Sequence, residues 1–172
     1  VSRNDSANAA AYEAAMIKFN AIHRAAEMYA DQIAIAYTAD DVERIHASGR
    51  KVAAIGIENG FVIGRDLDLV DRYHELGARY VTLAHGGHND IADSATPRSW
   101  DDNDAEHGGV SPFGERVIER MNRVGVMVDV SHISKQSMLD AVRLSEAPVI
   151  ASHSSVRALA DHPRNLDDEQ LL

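Results

Sequence analysis

The sequence predicts an α/β fold on a parallel sheet, of the (β/α) barrel kind, and three observations carry that prediction. Short β-branched apolar runs alternate with helix-period segments along the 172 residues, and such alternation gives a parallel sheet with right-handed crossovers. Four successive runs end in a polar functional residue, namely Glu58, His85, His132 and His153. A barrel brings all its strand tips to one mouth. No G-x-G-x-x-G and no phosphate loop follows a strand, which weighs against the doubly wound, nucleotide-binding sheet that the alternation also fits.

The elements follow in order. Asp5 or Ser6 caps a long helix to about Tyr29, with Ala10, Ala14, Ile17, Ala21, Ala25 and Met28 as its apolar face. Ile33 to Thr38 reads as a strand and Ala39 to Ser48 as a helix that Gly49 closes. Lys51 to Glu58 is the next strand, Leu67 to Leu76 a helix ending at Gly77, and Tyr80 to His85 a strand. Gly86-Gly87 opens a long polar stretch to about Ser111, which reads as a mobile active-site loop rather than a domain boundary. Pro112 starts a helix that runs to Arg123. Val126 to His132, a helix from Ser134 to Ser145, and Pro148 to His153 then form a strand–helix–strand unit. Each of its strands ends in Ser-His, so two imidazoles stand at equivalent tips and can meet on one ligand. Ser154 to Asn165 is irregular, and Leu166 to Leu172 begins another helix.

Composition narrows the function. Apolar residues make up 45% and charged residues 26%, as in an ordinary globular domain with its own core. The net charge of −10 argues against nucleic acid or an anionic membrane as the main partner. Cysteine is absent, so any metal must take His, Asp or Glu. No apolar run approaches the ~20 residues of a membrane span. The start, V-S-R-N-D-S, has neither an initiator Met nor an apolar segment, and the true N-terminus is expected to lie upstream. Neither a cytoplasmic nor a periplasmic location is selected.

Glu58, His132 and His153 are N and O ligands suited to Zn²⁺ or a related ion. A strand-end His also serves as a plain turn cap, and the three positions together are what favours a metal. His85 reads equally as a ligand, an oxyanion stabiliser or a turn residue. His88, Asp90 and Asp93 have ligand chemistry, but a polar loop of this kind is usually solvated. Asp129, inside its strand, reads as a buried hydrogen-bonding residue. His23, His46 and His74 fall on helices and read as surface residues, while His107 and His162 carry no sharp reading. Arg164 follows the His153 strand closely enough to reach the same mouth, where it would bind a carboxylate or an oxyanion.

The stretches I-G-I-E-N-G (55–60), Y-V-T-L-A-H-G-G-H-N-D-I-A-D-S (80–94), G-V-M-V-D-V-S-H-I-S (125–134), P-V-I-A-S-H-S-S (148–155) and H-P-R-N (162–165) occur in this order. In them the sequence resembles the membrane dipeptidase (renal dipeptidase-like) family of zinc peptidases. The resemblance implies a (β/α)8 TIM-like barrel of the metal-dependent hydrolase type. It implies two Zn²⁺ ions and hydrolysis of dipeptides, including some with a C-terminal D-residue, by a metal-activated bridging water. By position, Glu58 corresponds to the carboxylate bridging the metals, and His132 and His153 to the imidazole ligands of the second. His85 and Arg164 correspond to the residues that contact substrate and stabilise the tetrahedral intermediate.

The family's His-x-Asp pair on its first strand has no counterpart ahead of Ile33, and its late metal-binding Asp has none either. About five of eight strands are therefore expected here, as the central part of one barrel domain, with one metal site complete and the segment alone inactive. A homodimer is retained as a candidate assembly. The competing readings are a non-catalytic metal-binding or interaction domain, and another amide hydrolase on the same barrel.

Overall fold

The computed structural model describes residues 4–98 and 105–172. Helix α1 (Asp5–Met28) is rich in Ala and free of Gly and Pro, and Asn4, not Asp5 or Ser6, caps it by accepting from the Ala7 amide. Its buried face also differs from the expected one. Tyr12, Ala15, Phe19 and Ala26 turn inward, whereas Ile17 is 70% and Met28 72% exposed. An Ala-rich helix carries apolar spacing on more than one face, and the rings of Tyr12 and Phe19 settle which face packs. Both lie against Tyr73, the Phe19 ring stacked with centroids 5.8 Å apart.

Strands β1 (Ile33–Ile35) and β2 (Lys51–Ala53) pair in parallel, as do β3 (Ile55–Glu58), β4 (Ala78–Thr82) and β5 (Met127–Asp129) in that order. The α/β class with parallel sheets thus stands. The expected single strand 51–58 is instead divided at Ala54, its halves pairing to opposite sides. The β3–β4 register shifts between Ile55 and Gly56, and the Tyr80 ring fills the place a Gly56 side chain would need. A glycine irregularity of this kind bends a strand, and here the pairing with β4 resumes beyond it through Glu58.

Helices α2 (Ala39–Ala47), α3 (Asp68–Glu75), α4 (Pro112–Val124), α5 (Lys135–Leu144) and α6 (Asp168–Leu171) connect or follow the strands. Thr38 and Asp41 cap α2 reciprocally, and Ser111 and Ser134 accept from the amides of Gly114 and Ser137 to cap α4 and α5. Gly125, at φ 82°, ends α4 in the left-handed conformation. The core joins the buried strand face (Ile57, Val81, Val128) to Val70 and Tyr73 of α3, Val117, Ile118 and Met121 of α4, and Met138 and Ala141 of α5. The other face of β3 carries Gly56 and Glu58. Among the described residues no helix is long and apolar enough to cross a membrane.

The expected strand 148–153 is reduced to one parallel bridge, Asp129 to Ile150, flanked by bonds from Val130 N to Ile150 O and from Ile150 N to Val128 O. Pro148 has no N–H to give, and the Ser152 and His153 amides turn to the side chains of Asp129 and Ser131 at 3.0 and 3.1 Å. The ladder stops because side chains take its donors.

Candidate metal centre

One rung of the parallel register sets the site. Glu58 pairs with Thr82, Thr82 with Asp129, and Asp129 with Ile150. Beyond Thr82, Asp129 and Ile150, each segment reaches its histidine after the same short step: His85, His132 and His153. Equal steps from one rung bring the rings to one height. The Nε2 atoms of His132, His153 and His85 lie 3.1, 3.2 and 3.3 Å from the same Glu58 Oε1. His132 and His153 face each other Nε2 to Nε2 at 2.7 Å. The centroids of the His85 and His132 rings are 4.0 Å apart.

Local structure holds these tips. His132 has φ 68°, a left-handed conformation that costs a non-glycine residue energy and is over-determined here by tertiary bonds. Its carbonyl accepts from the Ala95 amide at 2.8 Å and, more distantly, from Ser94 Oγ. Ser94 Oγ also bonds the His85 carbonyl, so one side chain ties both imidazole loops together. Asn59, directly after Glu58, is likewise left-handed at φ 105°, and its Oδ1 accepts from Phe61 N and Asn89 Nδ2 at 3.0 Å each. Beneath the histidines, the fully buried Asp129 accepts from Thr82 Oγ1, Ser131 N, Ser152 N and Ser152 Oγ at 2.5 to 3.1 Å.

Electrostatics follow from this crowding. Burial pushes His132 down to about 4, helped by its neighbours His85, Arg164 and His153 and opposed by Glu58. Its side chain is only 8% exposed against 53% for Glu58. Burial alone would raise the Glu58 carboxyl, but His85, His153 and His132 outweigh it and hold it below its ordinary value. Burial would raise Asp129 too, and its bonds from Ser152, Thr82 and Ser131 reverse that. At neutral pH the cluster therefore combines a carboxylate with a neutral His132.

The donor set fits a divalent cation. Glu58, His132 and His153 each offer one ligand atom, all within 4.8 Å of one another, the single such group of three among the described residues. Imidazole nitrogens facing each other beside one carboxylate oxygen need a proton or a cation between their lone pairs.

The other candidates separate from this centre. Arg164 reaches its edge: Nη2 donates to the His153 carbonyl at 3.0 Å, and its Nε is buried without a hydrogen bond. Of the loop residues, His88 and Asp93 meet in the interior, Nδ1 to Oδ1 at 3.3 Å, apart from the Glu58 cluster, while Asp90 turns away from both. His88 Nδ1 accepts from the Ser94 amide, Asp90 faces Arg65 at 2.9 Å, and Asp93 accepts from the amides of Glu106, His107 and Gly109. The polar stretch is thus a packed platform around the buried His88, Asn89, Asp93 and Ser94, not a solvated loop; its residues 99–104 lie outside the described part. His23, read as a surface residue, is half-buried with Nε2 2.8 Å from the Leu76 carbonyl. Ser94, Ser152 and Thr82 escaped the sequence reading, since a serine or threonine beside a strand tip carries no signal until its partner is known.

Residues 2–172 match the sequence profile of the membrane dipeptidase family (peptidase family M19). The dipeptidase tcpJ of Claviceps purpurea is 43% identical over 150 residues, covering 87% of this chain and 34% of that protein. A crystal structure of the probable dipeptidase PvdM from Pseudomonas aeruginosa superposes with a TM-score of 0.87 at 35% identity, over 91% of this chain and 39% of that one. A metallo peptidase from Rhodobacter sphaeroides, solved with a phosphinate mimic of the dipeptide L-Ala-D-Ala, gives 0.73 at 31% identity, over 81% of this chain and 39% of that one. The chain spans less than half the length of these relatives.

Proposed function

We propose a metal-dependent dipeptidase, from the premise that this chain belongs to the membrane dipeptidase family (peptidase family M19). The observation that carries the reading is the convergence of His132, His153 and His85 on one Glu58 oxygen at the C-terminal ends of parallel strands. The parallel segments are read as part of a (β/α)8 barrel, whose chemistry gathers at that end.

Glu58, His132 and His153 would hold a Zn²⁺ ion in this reading, and Glu58 would also serve a second ion of the whole enzyme. A cation bound there supplies Lewis-acid charge that brings the acidity of water into the neutral range. The burial that keeps His132 neutral leaves its lone pair free for the ion at neutral pH. His85 and Arg164 face the dipeptide. The His85 ring flanks His132 and points Nε2 toward the same Glu58 oxygen, so it is placed to meet charge developing on the carbonyl oxygen. The Arg164 Nε, which makes no hydrogen bond here, supplies a further donor for that oxygen or for the substrate carboxylate. The phosphinate mimic of L-Ala-D-Ala in the Rhodobacter relative supports dipeptides with a C-terminal D-residue among the substrates.

The test is hydrolysis of an L,L- and L,D-dipeptide panel by the full-length protein, before and after chelation and zinc restoration. Loss of turnover on chelation and its return with zinc is expected. No hydrolysis of any dipeptide by the zinc-loaded protein would reject the activity.

A further inference from the structure

A coordinating histidine must present a lone pair, so which ring nitrogen of His153 carries the proton decides whether it can bind an ion. The hydrogen-bond network below the ring answers this. His153 Nδ1 lies 2.7 Å from Ser152 Oγ, and Ser152 Oγ lies 2.7 Å from Asp129 Oδ2. One hydroxyl proton serves two short contacts, so Ser152 donates to one neighbour and accepts from the other.

Asp129 decides the direction. Its Oδ1 accepts the amides of Ser131 and Ser152, and its Oδ2 accepts Thr82 Oγ1 as well as Ser152 Oγ. The three donors other than the Ser152 hydroxyl, namely the Ser131 and Ser152 amides and Thr82 Oγ1, hold this fully buried carboxyl as a carboxylate, which has no proton to give. Were Ser152 to donate to His153 instead, its oxygen would face Asp129 Oδ2 at 2.7 Å with no proton between them. Against the buried carboxylate of Asp129 that unpaired arrangement is costly, although Ser152 and His153 themselves lie at the surface.

We propose that Asp129 and Ser152 lock the tautomer of His153: Asp129 takes the Ser152 proton, Ser152 accepts from His153 Nδ1–H, and Nε2 keeps its lone pair toward Glu58 and His132. This deepens the metal-centre reading and rests on it for its purpose. The lock is a positioning device, since neither Asp129 nor Ser152 reaches the point where the ligand atoms meet. It also joins the centre's parts, because the same carboxylate fixes Thr82 of β4, the Ser131 amide next to His132 and the Ser152 amide next to His153. A ligating imidazole whose other N–H is held by an acceptor is better oriented and more basic.

Long-range ¹H–¹⁵N spectra of the metal-free full-length protein at neutral pH read the tautomer directly, with His153 assigned by its loss in His153→Gln. Wild type is expected as the Nδ1–H form. Ser152→Ala should shift it toward a mixture richer in Nε2–H, and Ser152→Thr, which keeps a hydroxyl, should restore Nδ1–H. Zinc affinity should fall about 10- to 100-fold in Ser152→Ala and recover in Ser152→Thr. Asp129→Asn should disturb the tautomer in the same sense. If it unfolds, as circular dichroism would show, Ser152→Ala still decides. A wild-type His153 in the Nε2–H form, or a tautomer unchanged in Ser152→Ala, overturns the lock. Failure of wild type to bind zinc while the tautomer behaves as described would instead reject the metal-centre reading alone.

Discussion

The Glu58 carboxylate oxygen, with three imidazole nitrogens around it, makes the site's predictions specific to single residues. His132→Ala and His153→Ala each remove one of three protein ligands in the proposed centre. Zinc affinity of the protein should drop by more than the roughly 10–100-fold that losing a ligand's hydrogen-bond partner costs. His85→Ala should leave zinc binding nearly intact and lower turnover by about 100-fold or more, as loss of an oxyanion donor does. Competition titration against a zinc dye separates these, and an equal loss of affinity in all three variants would make His85 a ligand. The depressed His132 sets a pH dependence as well. Below the ordinary histidine value of about 6.5 the unfolded chain takes a proton that folded His132, pushed down to about 4, refuses. The contribution to stability of the metal-free protein is therefore full above that range and lost as pH falls toward about 4. Glu58, whose carboxyl is held low in the fold, acts in the same direction. Urea midpoints at pH 7 and about pH 4.5 should fall further apart in wild type than in His132→Gln, whose amide does not titrate in this range. An equal fall in both would show that His132 is not the group responsible.

Among the elements, α4 and the packed polar platform before it depend on close approach. A methyl on Gly114 would overlap the Ile91 carbonyl oxygen and press on Val110 Cγ1 at 2.8 Å. The obstacle is backbone, so α4 itself must shift. Gly114→Ala should destabilise by about 1–3 kcal/mol in spite of the better helix propensity of alanine. Gly125 has no atom within 4 Å of its added methyl, so Gly125→Ala meets only the strain of a left-handed backbone, about 1 kcal/mol. Thermal melts should rank Gly114→Ala below Gly125→Ala, and the reverse order would refute the packing argument. Asp93 gathers the platform by accepting the amides of Glu106, His107 and Gly109 with a carboxylate 1% exposed. Asp93→Ala strands those donors and should cost about 3 kcal/mol or more. Limited proteolysis should then cut near 105–109 faster than in wild type, and an unchanged cutting pattern would remove Asp93 from this role.

At the scale of the whole molecule, two parallel sheets meet at Ala54 and differ in support. The β3–β4–β5 sheet lies under α3, α4 and α5, with Val81 and Val128 almost fully buried. The β1–β2 pair consists of two three-residue strands, and Lys51 is exposed. Local opening is easiest where few apolar contacts close over the backbone. Native-state hydrogen exchange of the protein should find the amides of Val81 and Val128 slower than those of Ala34 and Val52. Equal protection across both sheets would show that the break at Ala54 does not divide the fold energetically.

By itself the sequence determined the alternation of strands and helices, the α/β class and the positions Glu58, His132 and His153, for reasons local to the chain. Apolar period marks element type, Gly125 and Pro112 mark helix ends, and a polar residue after an apolar run marks a strand tip. What depends on partners distant along the chain was decided only by the tertiary structure. Rings at Tyr12 and Phe19 chose the buried face of α1, where alanine spacing allowed several. The strand expected at 51–58 is divided at Ala54, and Tyr80 packs over Gly56 just past the break, where the register with β4 shifts. Side chains of Asp129 and Ser131 took the amides that would have extended the segment at 148–153. Register is the deepest instance. The candidate ligand residues are visible as letters, but their meeting at Glu58 follows from the rung Glu58–Thr82–Asp129–Ile150, which is set when strands far apart in sequence pair. A slip of one residue would turn each tip to the other face of the sheet.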